Sequence, residues 1–289
     1  MKRKLFLATV LTAWVFTFLH GFKNISSESF GDNITLHFSE VQELQTLQER
    51  SFLVQIPDKG KISWNYDIIF TNGIRETHSP DSIFLQVSSP VILRDIRVVS
   101  VTLTDLINNE SIEEIDLHIS ALQRNLGINE TRRLANPTVS FDSYYQRNVV
   151  NYASPRALTH DKVMFVYPQS VESIILTLGN WKERNGFEVE YLAVTPENNT
   201  TTWIMDQLIE SNNSDNPPSY LILFGDVDGV FAIPTFYYEY PTGVAEGDHQ
   251  YALLEGEDIV EDIAVGRISF STESELLTII NKIVLYESM

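Results

Sequence analysis

Val163-Met164-Phe165-Val166-Tyr167 is an unbroken apolar run, the pattern of a strand buried on both faces rather than one that alternates between core and water. Immediately downstream, Val171, Ile174, Ile175, Leu178 and Trp181 recur at helical spacing and form one apolar stripe. Asn185-Gly186 ends that helix, and Phe187 to Val194 reads as the next strand. Trp203, Ile204, Leu208 and Ile209 mark a second amphipathic helix, stopped by Asn212-Asn213 and Pro217-Pro218. Tyr220 to Phe224 is a third apolar strand, opening into Gly225-Asp226, and Ile263 to Ile268 is a fourth. Thr272 and Glu275 have capping-box spacing ahead of Leu276, Leu277, Ile280, Ile283 and Val284. Strands alternating with helices predict an α/β unit, its parallel sheet flanked by helices on both faces. The pattern stops inside its last helix, so the sheet is expected to be incomplete at the C-terminus.

Upstream the period changes. Ile115, Leu117 and Ile119 alternate with Asp116, His118 and Ser120, which predicts a half-buried strand. Ile96 to Leu103 is rich in β-branched residues, and Asn108-Asn109 between the two runs predicts an antiparallel hairpin. Phe52 to Ile56 and Ile83 to Val87 supply further strands. An all-β sandwich-like domain is expected over 22–123. Residues 124–161 read as a linker broken by Asn136-Pro137 and Ser154-Pro155, with Tyr144-Tyr145 and Val149 to Tyr152 packing on a neighbour. Arg132-Arg133 there is either a processing site or two solvated arginines. The α/β domain then occupies 162–289.

At 289 residues the chain can hold two ordinary domains, and its 43% hydrophobic content is that of a core-forming protein. Thirty-nine acidic against 20 basic residues give a net charge of −19, which speaks against nucleic acid and anionic lipid as partners. Residues 1–21 read as a signal peptide, with basic Lys2-Arg3-Lys4 ahead of an apolar run from Leu5 to Leu19 and cleavage after Gly21. That run is shorter than the roughly 20 residues of a spanning helix, so a secreted or cell-surface destination without a membrane span is expected. The chain has no cysteine, which excludes a disulfide or a thiol nucleophile within these residues. Sequons at Asn24, Asn33, Asn109, Asn129, Asn198 and Asn199 arise readily by chance.

Chemistry is expected at the carboxyl ends of the parallel strands. Asp226 and Asp228 follow the third strand, Asp248 lies in a second loop, and Glu255 to Asp262 packs five carboxylates into eight residues. Like charges so crowded repel unless water or a cation offsets them. Calcium would accept carboxylates and backbone carbonyls in such irregular loops. Asp258, the Val260 carbonyl and Asp262 could approach one ion, with Asp226 or Asp248 reaching in; the alternative is a solvated acidic loop. Gly225 to Gly229 lacks the phosphate-loop signature, and its acidic side chains would repel phosphate. The histidines do not cluster, and His249 beside Asp248 reads as an exposed loop residue rather than a catalytic base.

Several ordered segments resemble gingipain-type cysteine peptidases. They are Trp181 to Val189, Pro218 to Asp226, Asp248 to Ala252, Asp262 to Ser269 and Asn281 to Glu287, with Ser89 to Arg97 upstream. The resemblance implies a caspase-like fold preceded by a prodomain-like β region, secretion, and hydrolysis of polypeptide substrates by a Cys–His dyad. In that chemistry the histidine activates the thiol and backbone amides stabilise the oxyanion. Both dyad positions would lie after residue 289, so no residue here inherits a catalytic role and this stretch is expected to be inactive alone. The resemblance also implies a structural calcium site onto which Asp226, Asp258, Val260 and Asp262 map, with Asp262 standing where Glu is expected. A non-catalytic secreted binding or scaffold module on the same fold is the alternative.

Overall fold

The computed structural model describes residues 24–39, 41, 51–80, 84–103, 111–122, 127–130, 136–241 and 243–289. The expected signal segment, the Asn108-Asn109 turn and Arg132-Arg133 lie outside the described residues. No helix among the described residues is long and apolar enough to cross a membrane.

The first half is a two-sheet β sandwich. One sheet has the order β1-β2-β9-β4-β5, from β1 (Ile25–Phe30), β2 (Asn33–Phe38), β9 (Ile112–Leu122), β4 (Lys61–Phe70) and β5 (Arg75–His78). The other sets β8 (Ile96–Leu103) between β3 (Ser51–Gln55) and β6 (Leu85–Val87), with β7 (Val91–Leu93) also paired to β8. The inward faces meet in one core containing Leu36, Phe38, Val54, Ile68, Val101 and Leu117. The outward face of the first sheet is polar. There Arg75 joins Asp67 and Asp116 at 3.1 Å each, and His37 meets Asp116 at 2.7 Å.

The structure overturns the expected β8–β9 hairpin. The two strands are sequence neighbours but lie in opposite sheets, β8 pairing with β3, β6 and β7, and β9 with β2 and β4. Each carries an apolar face, and facing one another across the sandwich buries both. Direct pairing would put them in one layer.

The segment before the α/β unit contains a helix, α1 (Val139–Asn148), capped by Thr138, whose Oγ1 accepts from the Phe141 N–H. Its anchor is the buried Tyr145, which donates to the Leu93 carbonyl at 2.9 Å. Val149 and Val150 then run along β3: the Val150 N–H donates to the Leu53 carbonyl, and the Asn151 amide bonds both backbone groups of Gln55. This segment covers the free edge of β3 and ties the sandwich to the α/β unit.

The α/β unit matches its sequence pattern closely. Strands β11 (Glu188–Val194), β10 (Lys162–Pro168), β12 (Tyr220–Phe224) and β15 (Ala264–Ile268) form a parallel sheet in that order. Helices α2 (Glu172–Arg184) and α4 (Glu273–Glu287) cover one face around Phe165, Ile175, Phe224 and Ile280, and α3 (Thr201–Asn212) covers the other around Met164, Ile204 and Leu223. The α2 stop uses Gly186 at φ +90°, with the Phe187 N–H reaching back to the Lys182 carbonyl. Thr272 caps α4 through the Glu275 N–H, while the Glu275 carboxylate accepts from Ser271 N–H.

The two halves are joined by Arg94, which is 1% exposed. Its guanidinium donates to the carbonyls of Pro217, Pro218 and Asp262, lies 3.3 Å from Asp95, and stacks on Phe141. Arg94→Ala would strand the buried Asp95 charge and leave these carbonyls without a donor, and is expected to cost about 3–5 kcal/mol. Urea denaturation measures this, and a loss below about 1 kcal/mol would contradict the buried role.

Candidate functional site

Two loop systems flank the parallel sheet, one following the carboxyl end of β12 and the other, at the opposite edge, leading into the amino end of β15. The first begins where β12 ends. Gly225 has φ +145°, and a Cβ there would collide with the Phe231 carbonyl oxygen, so the close return of the 226–233 loop requires glycine. The Ile233 N–H donates to the Asp226 carbonyl at 2.8 Å and closes that loop. Asp226 Oδ1 accepts from the Val227 N–H, and Asp228 is exposed.

Arg267 of β15 holds these loops together. Its guanidinium donates to the carbonyls of Gly225, Ile233 and Pro234 and grips the Asp248 carboxylate through Nε at 2.8 Å and Nη2 at 2.7 Å. Thr235 adds a third bond to Asp248 at 2.9 Å. Burial alone would raise the Asp248 pKa, but the Arg267 and Thr235 hydrogen bonds outweigh it and hold the carboxyl below its usual range. Asp248 is therefore committed to Arg267. A two-stranded hairpin, β13 (Phe236–Tyr240) with β14 (Gly243–Gly247), projects between Thr235 and Asp248 and was not foreseen from the sequence. His249 is half-exposed and meets Glu261 at 3.0 Å, the exposed loop position expected for it.

The second system is the acidic loop. Asp262 is fully buried, and its Oδ2 accepts from the N–H groups of Leu254 and Glu255 at 2.8 and 2.7 Å. Its Oδ1 is buried with no hydrogen-bond partner among the described residues. Burial pushes the Asp262 carboxyl up to about 7; its two backbone donors oppose the rise, while Glu255 and Asp258 add to it. Asp258 Oδ1 accepts from Val260 N–H at 2.9 Å, and Oδ2 accepts from Ile92 N–H and Asn129 Nδ2 at 3.0 Å each. Gly256, at φ +85°, lets the loop fold back close to Asp258 Oδ2. Asn129 also receives the Glu257 N–H on Oδ1 and donates to the Pro90 carbonyl. Both Nδ2 hydrogens of this sequon asparagine are thus engaged inside the fold.

Of the four residues expected to hold calcium, the structure brings Asp258, Val260 and Asp262 into one loop. The charges that act on Asp262 are those of Glu255 and Asp258, whereas Asp226 caps its own turn in the other system. Among the described residues no three His, Cys, Asp or Glu side chains are grouped to hold a metal. The donor set that remains is two carboxylates and a carbonyl, the kind of oxygen set calcium accepts. The orphaned, buried Asp262 Oδ1 is what a cation would satisfy: a buried carboxylate oxygen without a donor is costly, and here the Glu255 and Asp258 charges add to that cost.

The carboxyl of a raised Asp favours the folded state below its unfolded pKa of about 4, and that contribution is lost as pH rises through about 7. In chelator, the chain is therefore expected to lose stability between about pH 4 and 7, by at most about 4 kcal/mol. Asp262→Asn should flatten this slope in urea denaturation at stepped pH. An unchanged slope would show that Asp262 does not titrate there.

Residues 156–289 match the model of a family described as Peptidase family C25. Over 272 residues the chain is 24% identical to Gingipain R2 of Porphyromonas gingivalis, and 23% identical to the same protein from a second strain. Each match covers 86% of this chain and 35% of the relative, so the chain spans about a third of the length of these curated relatives. Among solved structures, one titled "Structure of Protease" aligns at a TM-score of 0.39 and 22% identity, covering 44% of this chain and 28% of that one. A complex of Porphyromonas gingivalis RgpB pro- and mature domains aligns at 0.37 and 23%, covering 43% and 29%.

Proposed function

We propose that the chain is the N-terminal part of a secreted cysteine-type endopeptidase of the gingipain type, because residues 156–289 match the model of peptidase family C25. Residues 22–123 would be its prodomain-like β region, 124–161 the linker, and 162–289 the first part of its catalytic domain. The single observation that carries this reading is the family match, which covers the entire α/β unit. The Cys–His dyad and the pocket that selects the cleaved bond would be supplied by residues outside these 289, since no cysteine is present among them. The substrates would be polypeptides. These residues contribute support: Arg267 and Asp248 fix the loops that follow the carboxyl end of β12, the edge where open α/β sheets place their chemistry.

The missing thiol supplies a test. The 289-residue chain should show no labelling by a thiol-directed peptidyl probe and no peptide cleavage. The same reading frame extended downstream should encode a His-Gly-rich strand and then a strand ending in Cys, and that longer protein should be labelled. An in-frame stop after Met289 would instead favour the non-catalytic module.

The second part of the proposal is a structural calcium ion held by Asp258, the Val260 carbonyl and Asp262; Asp226 follows the carboxyl end of β12 and Asp262 precedes the amino end of β15, so Asp226 falls outside this set. Asp262 Oδ1 supports it most directly, because it is a fully buried carboxylate oxygen without a donor. Millimolar Ca²⁺ should raise the Tm, as a ligand selective for the folded state does, and Asp258→Ala should abolish the rise. Equal Tm values with Ca²⁺ and with chelator would remove the site.

A further inference from the structure

The acidic loop is also the surface on which the β sandwich sits. Asp258 Oδ2 accepts from the Ile92 N–H of β7 and from Asn129 Nδ2, and the Glu257 N–H donates to Asn129 Oδ1. Val260 packs against the cluster of Leu93, Ile96, Val98, Tyr145 and Tyr152, and the Asp262 carbonyl accepts from Arg94. Each of the three residues proposed to hold a cation therefore touches the first half of the chain through another of its atoms.

We propose that this loop is a cation-responsive latch: calcium bound at Asp258, Val260 and Asp262 tightens docking of the β sandwich on the α/β unit, and docking raises affinity for the ion. The inference rests on the calcium reading above and adds a coupling that the reading does not require. A carboxylate offers about four lone-pair directions. Asp258 uses three, two on Oδ2 and one on Oδ1, which leaves one on Oδ1 for an ion without breaking the docking bonds. Asp262 Oδ1 has no partner to lose among the described residues. Docking and ion binding thus use different atoms of the same residues and require the same loop conformation. Whichever occurs first orders the loop for the other, which makes the coupling positive. Linkage requires the effect to be reciprocal.

Two measurements on the full chain test this. Asn129→Gly removes two loop contacts, keeps the left-handed backbone that Asn129 adopts at φ +49°, and alters no proposed ligand. Calorimetric Ca²⁺ titration should show binding weakened about fivefold or more. In the unmodified chain, saturating Ca²⁺ should slow hydrogen exchange of the Ile92 amide by about fivefold or more, and Asp262→Asn should remove that response. Equal affinity in both chains, with Ile92 exchange indifferent to Ca²⁺, overturns the latch and leaves the ion site standing. No binding heat in the unmodified chain overturns both.

Discussion

The Arg94 guanidinium is a permanent charge placed where water cannot reach it, and much of the arrangement of the two halves follows from accommodating it. Removing such a charge from water costs several kcal/mol unless its donors are matched. The match comes from distant parts of the chain: Asp95 beside it, the Phe141 ring of α1, and the carbonyls of Pro217, Pro218 and Asp262. The Pro-Pro pair suits this role. Proline has no N–H to donate, so it resists being drawn into a ladder, and its carbonyl remains available as an acceptor. The segment that ends α3 in sequence therefore also receives the sandwich.

Arg267 repeats the arrangement within the α/β unit. It gathers the Gly225, Ile233 and Pro234 carbonyls and the Asp248 carboxylate, so loops that follow different strands are fixed by one side chain. Both arginines exploit a planar, always charged fork that can satisfy several carbonyls at once, which lysine cannot reproduce. The acidic loop lies between these two anchors, and its carboxylates take their donors chiefly from backbone N–H groups. Among the described residues no basic side chain bonds the Asp258 or Asp262 carboxylate, and Asp262 Oδ1 keeps no hydrogen-bond partner.

The α/β unit was legible because each of its signals is local. The Val163–Tyr167 run, the stripe on α2, the Gly186 stop and the Thr272 cap each declare an element within a few residues. The β region was legible as strands but not as pairings. The expected β8–β9 hairpin assumed that sequence neighbours pair, whereas the sandwich places Val101 and Leu117 in facing sheets around one core. Helix α1 was missed because its own pattern is weak. It is held by Thr138 at one end and by the contacts of Tyr145 with β7, and neither shows in a hydrophobic period. The β13–β14 hairpin was missed because Gly243–Gly247 is almost wholly exposed and carries no apolar alternation.

Of the candidate site, sequence indicated the acidic loop and the Gly225-Asp226 turn but not how they sit. Asp248 looked available and is bound by Arg267; Asp226 looked like a contributor and caps its own turn. Composition and periodicity determined the layered parallel sheet, the sandwich before it and the absence of a thiol, since each is a property of residue types and their spacing along the chain. The tertiary structure alone decided which carboxylates are buried, which arginine joins the halves and which oxygen is left without a donor. Those depend on segments far apart in sequence meeting in space, and no short-range pattern encodes that encounter.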